Sequence, residues 1–374
     1  MSPSRTPAAA RKPSAPARPT SQRRAAKDHE KETTLKARAG KTSRPGGGVV
    51  VVGSLNMDLV VKTETMPLPG QTVLGQEFQQ VPGGKGANQA AAAGLLAHHG
   101  GTGAGGTGGN SGGGGGCSMI GRVGDDLFGQ RMLETLQHFH VNTTAVLPTP
   151  KTASGIALII VDRHGENSIV VAGGANHRLC SNDLIALRKT LESHCVLATQ
   201  LETPYETVAC AIALARRSGT LTILDPAPAP PEGLPDALYH VDILTPNQTE
   251  AQLLTGVTVR TPDDARRAGE RILACGTGLA IIKMGAGGAV IVRKVNDQID
   301  AIHVPGFKVK ALDTTAAGDC FNGALATALA EGQELVSAVR FANAAGALAC
   351  TKFGAQSSIP TRSQVLDLLA GKTA

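Results

Sequence analysis

From residue 181 onward the chain alternates helix-compatible segments with short apolar runs near 195–198, 221–225, 241–244 and 279–283. Few architectures satisfy that alternation. Parallel strands need crossover helices, and those helices then cover both faces of the sheet. The residues after these runs are polar: Gln200-Leu201-Glu202, Asp225, and Thr245 to Glu250. In a parallel sheet they emerge together on the carboxyl edge, where ligands bind. Val49 to Val52, a β-branched run closed by Gly53, reads as one more buried strand and brings Ser54-Leu55-Asn56-Met57-Asp58 to the same edge. The expectation is an α/β fold with three α/β/α layers and a mostly parallel central sheet.

A second, smaller sheet is expected beside it. Residues 59–63 and 72–74 flank the turn Met66-Pro67-Leu68-Pro69-Gly70, and Gly155–Val161 and Ser168–Val171 flank Asp162 to Asn167. This places strands of a small sheet near 58–74 and 156–171. Further helices are predicted from Leu127 to Phe139, over 333–349 and over 361–370.

Charge has to be divided before it is interpreted. Residues 1–48 hold 12 of the 36 Lys/Arg and 3 of the 30 Asp/Glu, a net +9, so the remainder carries 24 − 27 = −3. The segment is rich in Ala, Pro, Ser and Arg and reads as a disordered basic tail, with the folded body over 49–374. The basic balance therefore belongs to the tail and does not argue for a nucleic-acid-binding fold. The tail lacks amphipathic apolar spacing, which favours an untargeted extension over a mitochondrial signal. No apolar run approaches the ~20 residues of a membrane span. The seven scattered cysteines, never spaced as CxxC, suit reduced thiols and not zinc. A cytoplasmic protein is expected, with nuclear or organellar placement left open. Residues 98–116 are mostly glycine and read as a flexible insertion. Their Gly101-x-Gly103-x-x-Gly106 spacing has no strand before it and no helix after it, so the dinucleotide reading fails.

Two stretches carry chemistry. Asp313-Thr314-Thr315-Ala316-Ala317-Gly318-Asp319 places small residues at the start of a helix running to about Ala330. Uncovered N–H groups and the helix dipole there suit an anion, and Asp319 in the first turn could take a proton from a hydroxyl attacking a phosphoryl group. The same residues would also serve as an ordinary acidic helix start. Val81-Pro82-Gly83-Gly84-Lys85-Gly86-Ala87-Asn88-Gln89 leads into an Ala-rich helix ending near Ala97. Its glycines allow close approach of a ligand, and Asn88 offers donor and acceptor to a polyhydroxylated one. It is not a Walker A loop, because no Ser or Thr follows Lys85. Met284-Gly285-Ala286-Gly287-Gly288 is a glycine turn open enough for a nucleotide.

Together these motifs resemble the ribokinases, within the family of sugar and nucleoside kinases. Gly83 to Gln89 and Asp313 to Asp319 match the two family motifs. Gly-Ser-Leu-Asn-Met-Asp at 53–58, Gln-Leu-Glu-Thr-Pro at 200–204 and Asp-Pro-Ala-Pro-Ala at 225–229 favour ribokinase within it. The resemblance covers residues 49 to about 370. It implies that the small sheet forms a lid and often a dimer interface, hence a homodimer. It implies a sugar site of Asn56, Met57, Asp58, Gly84, Lys85, Gly86, Ala87, Asn88 and Glu202. Asp319 would be the base, with the amides of Gly318 and Ala317 as anion hole. ATP would lie against Lys283, Met284, Gly285, Ala286, Gly287, Gly288 and Asn343, with Asn247 and Glu250 holding Mg²⁺ through water. Asp313, Thr315, Ala349, Lys352, Gly354 and Ser358 would surround K⁺. Ribokinases commonly carry Thr where this chain has Lys283. That lysine would aid a phosphate within reach and disturb the pocket otherwise.

The expected reaction is ATP-dependent phosphorylation of D-ribose at O-5. The same chemistry on 2-deoxyribose, fructose or a nucleoside is the alternative, weakened for nucleosides by the scarcity of aromatic residues. A non-catalytic sugar-binding regulator is the reading from a different class.

Overall fold

The computed structural model describes residues 47–97 and 115–372. The basic tail and the glycine-rich insertion read above lie outside the described residues, apart from their last two positions at each border. Among the described residues one sheet holds nine strands in the order β13-β12-β11-β10-β9-β8-β1-β4-β5. They are β1 (Val49–Val52), β4 (Cys117–Gly124), β5 (Val141–Thr149), β8 (Val196–Thr199), β9 (Leu221–Leu224), β10 (Ile243–Leu244), β11 (Leu279–Lys283), β12 (Ala289–Val295) and β13 (Gln298–Val304). Every pairing from β5 to β11 is parallel, and β12 and β13 add an antiparallel edge.

The valine run of β1 shows why the sheet is central. Val49 and Val51 belong to one core and Val50 and Val52 to another, each at most 2 % exposed. A strand buried on both faces has no use for polar alternation. Each valine so buried contributes on the order of 1.5–3 kcal/mol. The first face is covered by α1 (Lys85–Ala97), α9 (Ala317–Ala330) and α10 (Leu335–Ala349). The other is covered by α3 (Ser181–Ala186), α4 (Arg188–Glu192), α5 (Tyr205–Ser218), α7 (Gln248–Thr255) and α8 (Pro262–Ala274). The remaining helices are α2 (Leu127–His138), α6 (Asp236–Tyr239) and α11 (Arg362–Leu369).

The pairing of α1 with α9 positions the site. Ala90 to Ala93 are fully buried, and α9 presents Gly323 to them. A β-carbon on Gly323 would stand 2.5 Å from the Gln89 carbonyl oxygen and 2.7 Å from Ala92 Cβ. Only small residues let the two helices approach this closely. Their N-terminal turns, distant in sequence, therefore meet at the sheet's carboxyl edge.

The small sheet has the order β3-β2-β6-β7, from β2 (Asn56–Thr63), β3 (Gly75–Gly83), β6 (Gly155–Val161) and β7 (Asn167–Ala172). The strand expected at 72–74 lies instead at Gly75–Gly83, so the lid boundary near 58–74 moves to 56–83. Gly-Gln-Glu-Phe-Gln-Gln has too little apolar content to read as a strand, because most of β3 is exposed. Strand register puts Asp58, Ala157 and Val171 on one face. Phe78, Leu158 and Val170 fall on the opposite face and are 48–62 % exposed. No helix of the described residues is long and apolar enough to cross a membrane.

Candidate active site

The turn before α9 leaves a helix start suited to an anion. Ala316 caps the helix with φ +56°. Left-handed backbone at a residue with a β-carbon costs on the order of 1–2 kcal/mol, and it is kept here to aim the first turn. The Ala317 N–H turns back to the Thr314 carbonyl at 3.3 Å, and Cys320 N–H starts the helical ladder on Ala316 O at 2.8 Å. Among the described residues the Gly318 and Asp319 amides make no hydrogen bond within the chain, so these two are the outward donors. Ala317, expected to share that role, has its amide directed inward.

Asp319 is 5 % exposed and sits where α1 and α9 meet. Asn88 Nδ2 donates to its Oδ2 at 3.0 Å, and Gln89 Nε2 lies 3.4 Å from its Oδ1. Burial pushes the Asp319 carboxyl up to about 6; Lys85 and the Asn88 bond oppose that, while Asp225 and Glu202 add to it. A carboxylate raised in this way accepts a proton more readily than an ordinary one. Asp319 in turn holds the Lys85 ammonium above the usual lysine range against burial, with Asp225, Glu202 and Glu250 adding to the effect.

A polar wall is built from strand ends. Glu202, just after β8, accepts through Oε2 from Ser54 Oγ (2.6 Å), the Lys85 amide (3.1 Å) and Asn56 Nδ2 (3.4 Å). Gly84 makes this junction possible, with φ +88° and a β-carbon position only 2.6 Å from Asn56 N. Gly86 and Ala87 follow in the first turn of α1, and their amides bond to Ser54 Oγ (3.3 Å) and Ser54 O (2.9 Å). Both are buried and act through backbone. Met57 is fully buried in the core, so it supports Asp58 from behind. Asp58 itself is pushed up to about 7, by burial first and then by the charges of Glu202 and Asp319. Asn88 Oδ1 is buried without a partner among the described residues, an acceptor suited to a ligand hydroxyl.

Sequence reasoning missed several members. Asn176 is 1 % exposed and clamps the wall. Its Oδ1 accepts from Leu55 N (2.9 Å), and its Nδ2 donates to Leu55 O (3.0 Å) and Asn56 Oδ1 (2.7 Å). The signal that could have found it was Gly173-Gly174-Ala175-Asn176, small and polar residues directly after an apolar strand. A cleft of about 410 Å³ opens beside this wall, lined among others by Asn56, Asn176, Glu202 and Val171.

On the far side of the anion turn, Gly285–Gly287 forms an exposed single turn closed by Met284 N to Gly288 O at 2.8 Å. Met284 is buried beneath it, and Ala286 lies on the open surface. Asn343 donates to the carbonyls of Val304 (3.0 Å) and Pro305 (3.3 Å), so it fastens the end of β13 to α10. Lys283 Nζ lies 3.5 Å from where a β-carbon on Gly318 would stand, and it pairs with Asp225 at 2.8 Å. The lysine is thus within reach of the anion turn.

Asn247 and Glu250 cap α7 reciprocally: Glu250 N donates to Asn247 Oδ1 (2.9 Å), and Asn247 N and Nδ2 donate to the Glu250 carboxylate (2.8 and 2.9 Å). Burial, then Asp225, raises the Glu250 carboxyl, opposed by Lys283 and Asn247. Among the described residues no group of three or more acidic, His or Cys side chains could hold a metal. The oxygens of this capping pair are hard donors of the kind Mg²⁺ accepts, and a metal held by so few protein groups takes its other ligands from phosphate and water. At the monovalent-cation positions, Asp313 accepts from the amides of Thr315 and Gly354 at 2.9 Å each. Burial opposes its ionisation, but those bonds outweigh it and hold the carboxyl below its usual range. Ser358 is buried with its Oγ on Ala355 O at 2.8 Å, and Ala349 lies one turn before Lys352 on the same segment. Asp313 thus clamps two loops together and leaves carboxylate lone pairs and backbone carbonyls, a donor set compatible with K⁺. Lys352 is exposed and would contribute only through its backbone.

The model of the pfkB family of carbohydrate kinases matches residues 47–362. A ribokinase of Haemophilus influenzae is 38 % identical over 325 residues, covering 86 % of this chain and 98 % of the relative. A deoxyribokinase of Salmonella typhi is 34 % identical over 322 residues, covering 86 % and 98 %. The solved structure of Arabidopsis thaliana ribokinase complexed with ribose and ATP superposes with a TM-score of 0.76 at 29 % identity, covering 87 % of this chain and 99 % of that one. With the fold, the paired motifs and the full length of its relatives in common, this chain belongs to the pfkB family of carbohydrate kinases and is a kinase of the ribokinase type.

Proposed function

We propose that the protein transfers the γ-phosphoryl group of ATP to the 5-hydroxyl of D-ribose. The observation that carries this reading is Asp319: a buried carboxylate at the anion-binding helix start, held by Asn88 and facing the wall of Asp58, Lys85 and Glu202. Asp58 would take two adjacent sugar hydroxyls, as a carboxylate with two acceptor oxygens can. Asn56, Lys85, Asn88 and Glu202 would complete the sugar site. Asp319 would accept the proton of the primary hydroxyl as its oxygen bonds to the γ-phosphorus and the bond to the ADP oxygen breaks. The amides of Gly318 and Asp319 would then face the charge on the transferring group. The turn at 284–288 would carry the adenine nucleotide.

Mg²⁺, when bound, offsets phosphate charge; Asn247 and Glu250 would hold it through water. The loops around Asp313, Thr315, Ala349, Lys352, Gly354 and Ser358 would hold K⁺ beside the anion turn. The small sheet would act as a lid that excludes water during transfer. Its outer face, with Phe78, Leu158 and Val170 exposed, suits a second copy of the chain.

2-Deoxyribose is the second acceptor to consider, since a relative of similar identity is a deoxyribokinase. ADP release is measured with ATP, Mg²⁺ and K⁺ over D-ribose, 2-deoxyribose, D-fructose and adenosine. Preference for ribose, falling when Na⁺ replaces K⁺, supports the sugar and the cation site. Preference for another acceptor replaces the sugar assignment.

A further inference from the structure

Behind Asp319 runs a buried polar chain that the reaction above does not use. Gln200 Nε2 donates to Gln89 Oε1 at 2.7 Å, which turns the Gln89 NH₂ away from Gln200. That NH₂ lies 3.3 Å from Asp225 Oδ2 and 3.4 Å from Asp319 Oδ1, so it sits between two carboxylates. The second oxygen of Asp225 accepts from Lys283 Nζ at 2.8 Å. Asp225 is 2 % exposed and the Lys283 side chain 12 %. A carboxylate this deep is costly without a cation, and the cation here is aimed at one place. Lys283 ends β11 next to the Gly318 backbone, so its ammonium has a carboxylate on one side and the anion turn on the other.

We propose that Asp225 is a positioning residue that holds the Lys283 ammonium at the anion turn, where Lys283 serves as a cation for the transferring phosphoryl group, and that Gln89 ties this pair to Asp319. The proposal rests on the phosphotransfer reading. An ammonium has three donors. Asp225 takes one, and the rest are available to phosphoryl oxygens. Holding the charge in place before nucleotide arrives spares its reorganisation during the reaction. It also accounts for a lysine where ribokinases commonly carry threonine: in this chain the substitution Lys283→Thr would leave Asp225 buried without a counter-charge.

The test is a double-mutant cycle on the full chain with D225N, K283T and D225N/K283T. Two readouts are taken: Mg·ADP affinity by calorimetry, which needs no turnover, and KM and kcat for ATP and ribose. We expect D225N to weaken Mg·ADP binding and raise KM for ATP about fivefold or more, with KM for ribose within about twofold. K283T should weaken nucleotide binding at least as much. The double variant should lose no more than the worse single one, because Asp225 then has nothing to aim. A merely structural Asp225 would lower melting temperature and active fraction while leaving nucleotide affinity and KM unchanged, and that result overturns the proposal. Additive losses in the double variant overturn it too. If K283T fails to fold around an unpaired carboxylate, the double variant, which buries no lone charge, reports the loss of the lysine, and the nucleotide affinity of D225N still decides whether Asp225 positions it. Wild-type protein that binds Mg·ADP but phosphorylates no acceptor would defeat the phosphotransfer reading. An unaltered affinity in D225N defeats only the pair.

Discussion

Replacing Asp58 by Asn should stabilise the sugar-free protein, by an amount that grows with pH. The carboxyl moves from its ordinary 3.8 to about 7 in the folded chain. In the unfolded chain it ionises near its ordinary value; in the folded chain it keeps its proton until near 7. Between those pH values the folded state binds more protons, so stability falls as pH rises, and the loss is complete above 7. At about 1.4 kcal/mol per pKa unit the ceiling is roughly 4 kcal/mol. Water at the open mouth of the site lowers the expected value to about 2–3 kcal/mol. Asparagine does not ionise and keeps the shape, so the variant escapes this loss. Urea midpoints of both proteins, without sugar, should converge toward pH 4, diverge from there to about pH 7 and differ by a constant amount above it, with unchanged m-values. A difference that is constant in pH, or a variant less stable at pH 8, would refute the reasoning.

Three further outcomes are expected. With the sugar held by the ionised Asp58 as proposed, ribose affinity measured by calorimetry should weaken as pH falls through 7, about tenfold per pH unit below it; a flat profile from 8 to 6 would remove Asp58 from the sugar site. Asp319→Asn should lower kcat about 10²–10⁴-fold with ribose affinity changed little, and near-normal turnover would remove it as base. Gly323→Ala sets a methyl 2.5 Å from the Gln89 carbonyl and should cost about 1–3 kcal/mol in stability, read as a lowered urea midpoint. An unchanged midpoint would mean that α1 and α9 have slack between them.

The central sheet was legible because its strands are buried on both faces and read as apolar runs; those near 195–198, 221–225 and 279–283 appear within a residue of their expected places. The glycine motif at the start of α1 was legible because unusual backbone and close approach need glycine, as at Gly84 and Gly86. β5, β13 and β3 escaped because each is polar or interrupted on an exposed face, where alternation carries no signal. Asn176 and Gln89 were hidden for another reason. Their roles depend on partners brought near by packing: Gln89 and Asp319 stand 230 positions apart, and Asn176 and Leu55 121. Asp225 was visible as a polar residue at a strand end, but its pairing with Lys283 is a tertiary fact.

Strands β2 and β3 enter and leave the central body without slack. β2 begins at Asn56, two residues from Asp58, and β3 ends at Gly83, two residues before Lys85 opens α1. Both ends of this hairpin are therefore candidate site residues, while most of its tip near 64–74 is exposed. A fluorophore or an inserted peptide at the tip would ride on a lever whose two feet are the Asp58 carboxylate proposed to hold the sugar and Lys85 across from it. The tip is a place to attach a reporter of occupancy, and the feet are places where a single inserted residue would be ruinous.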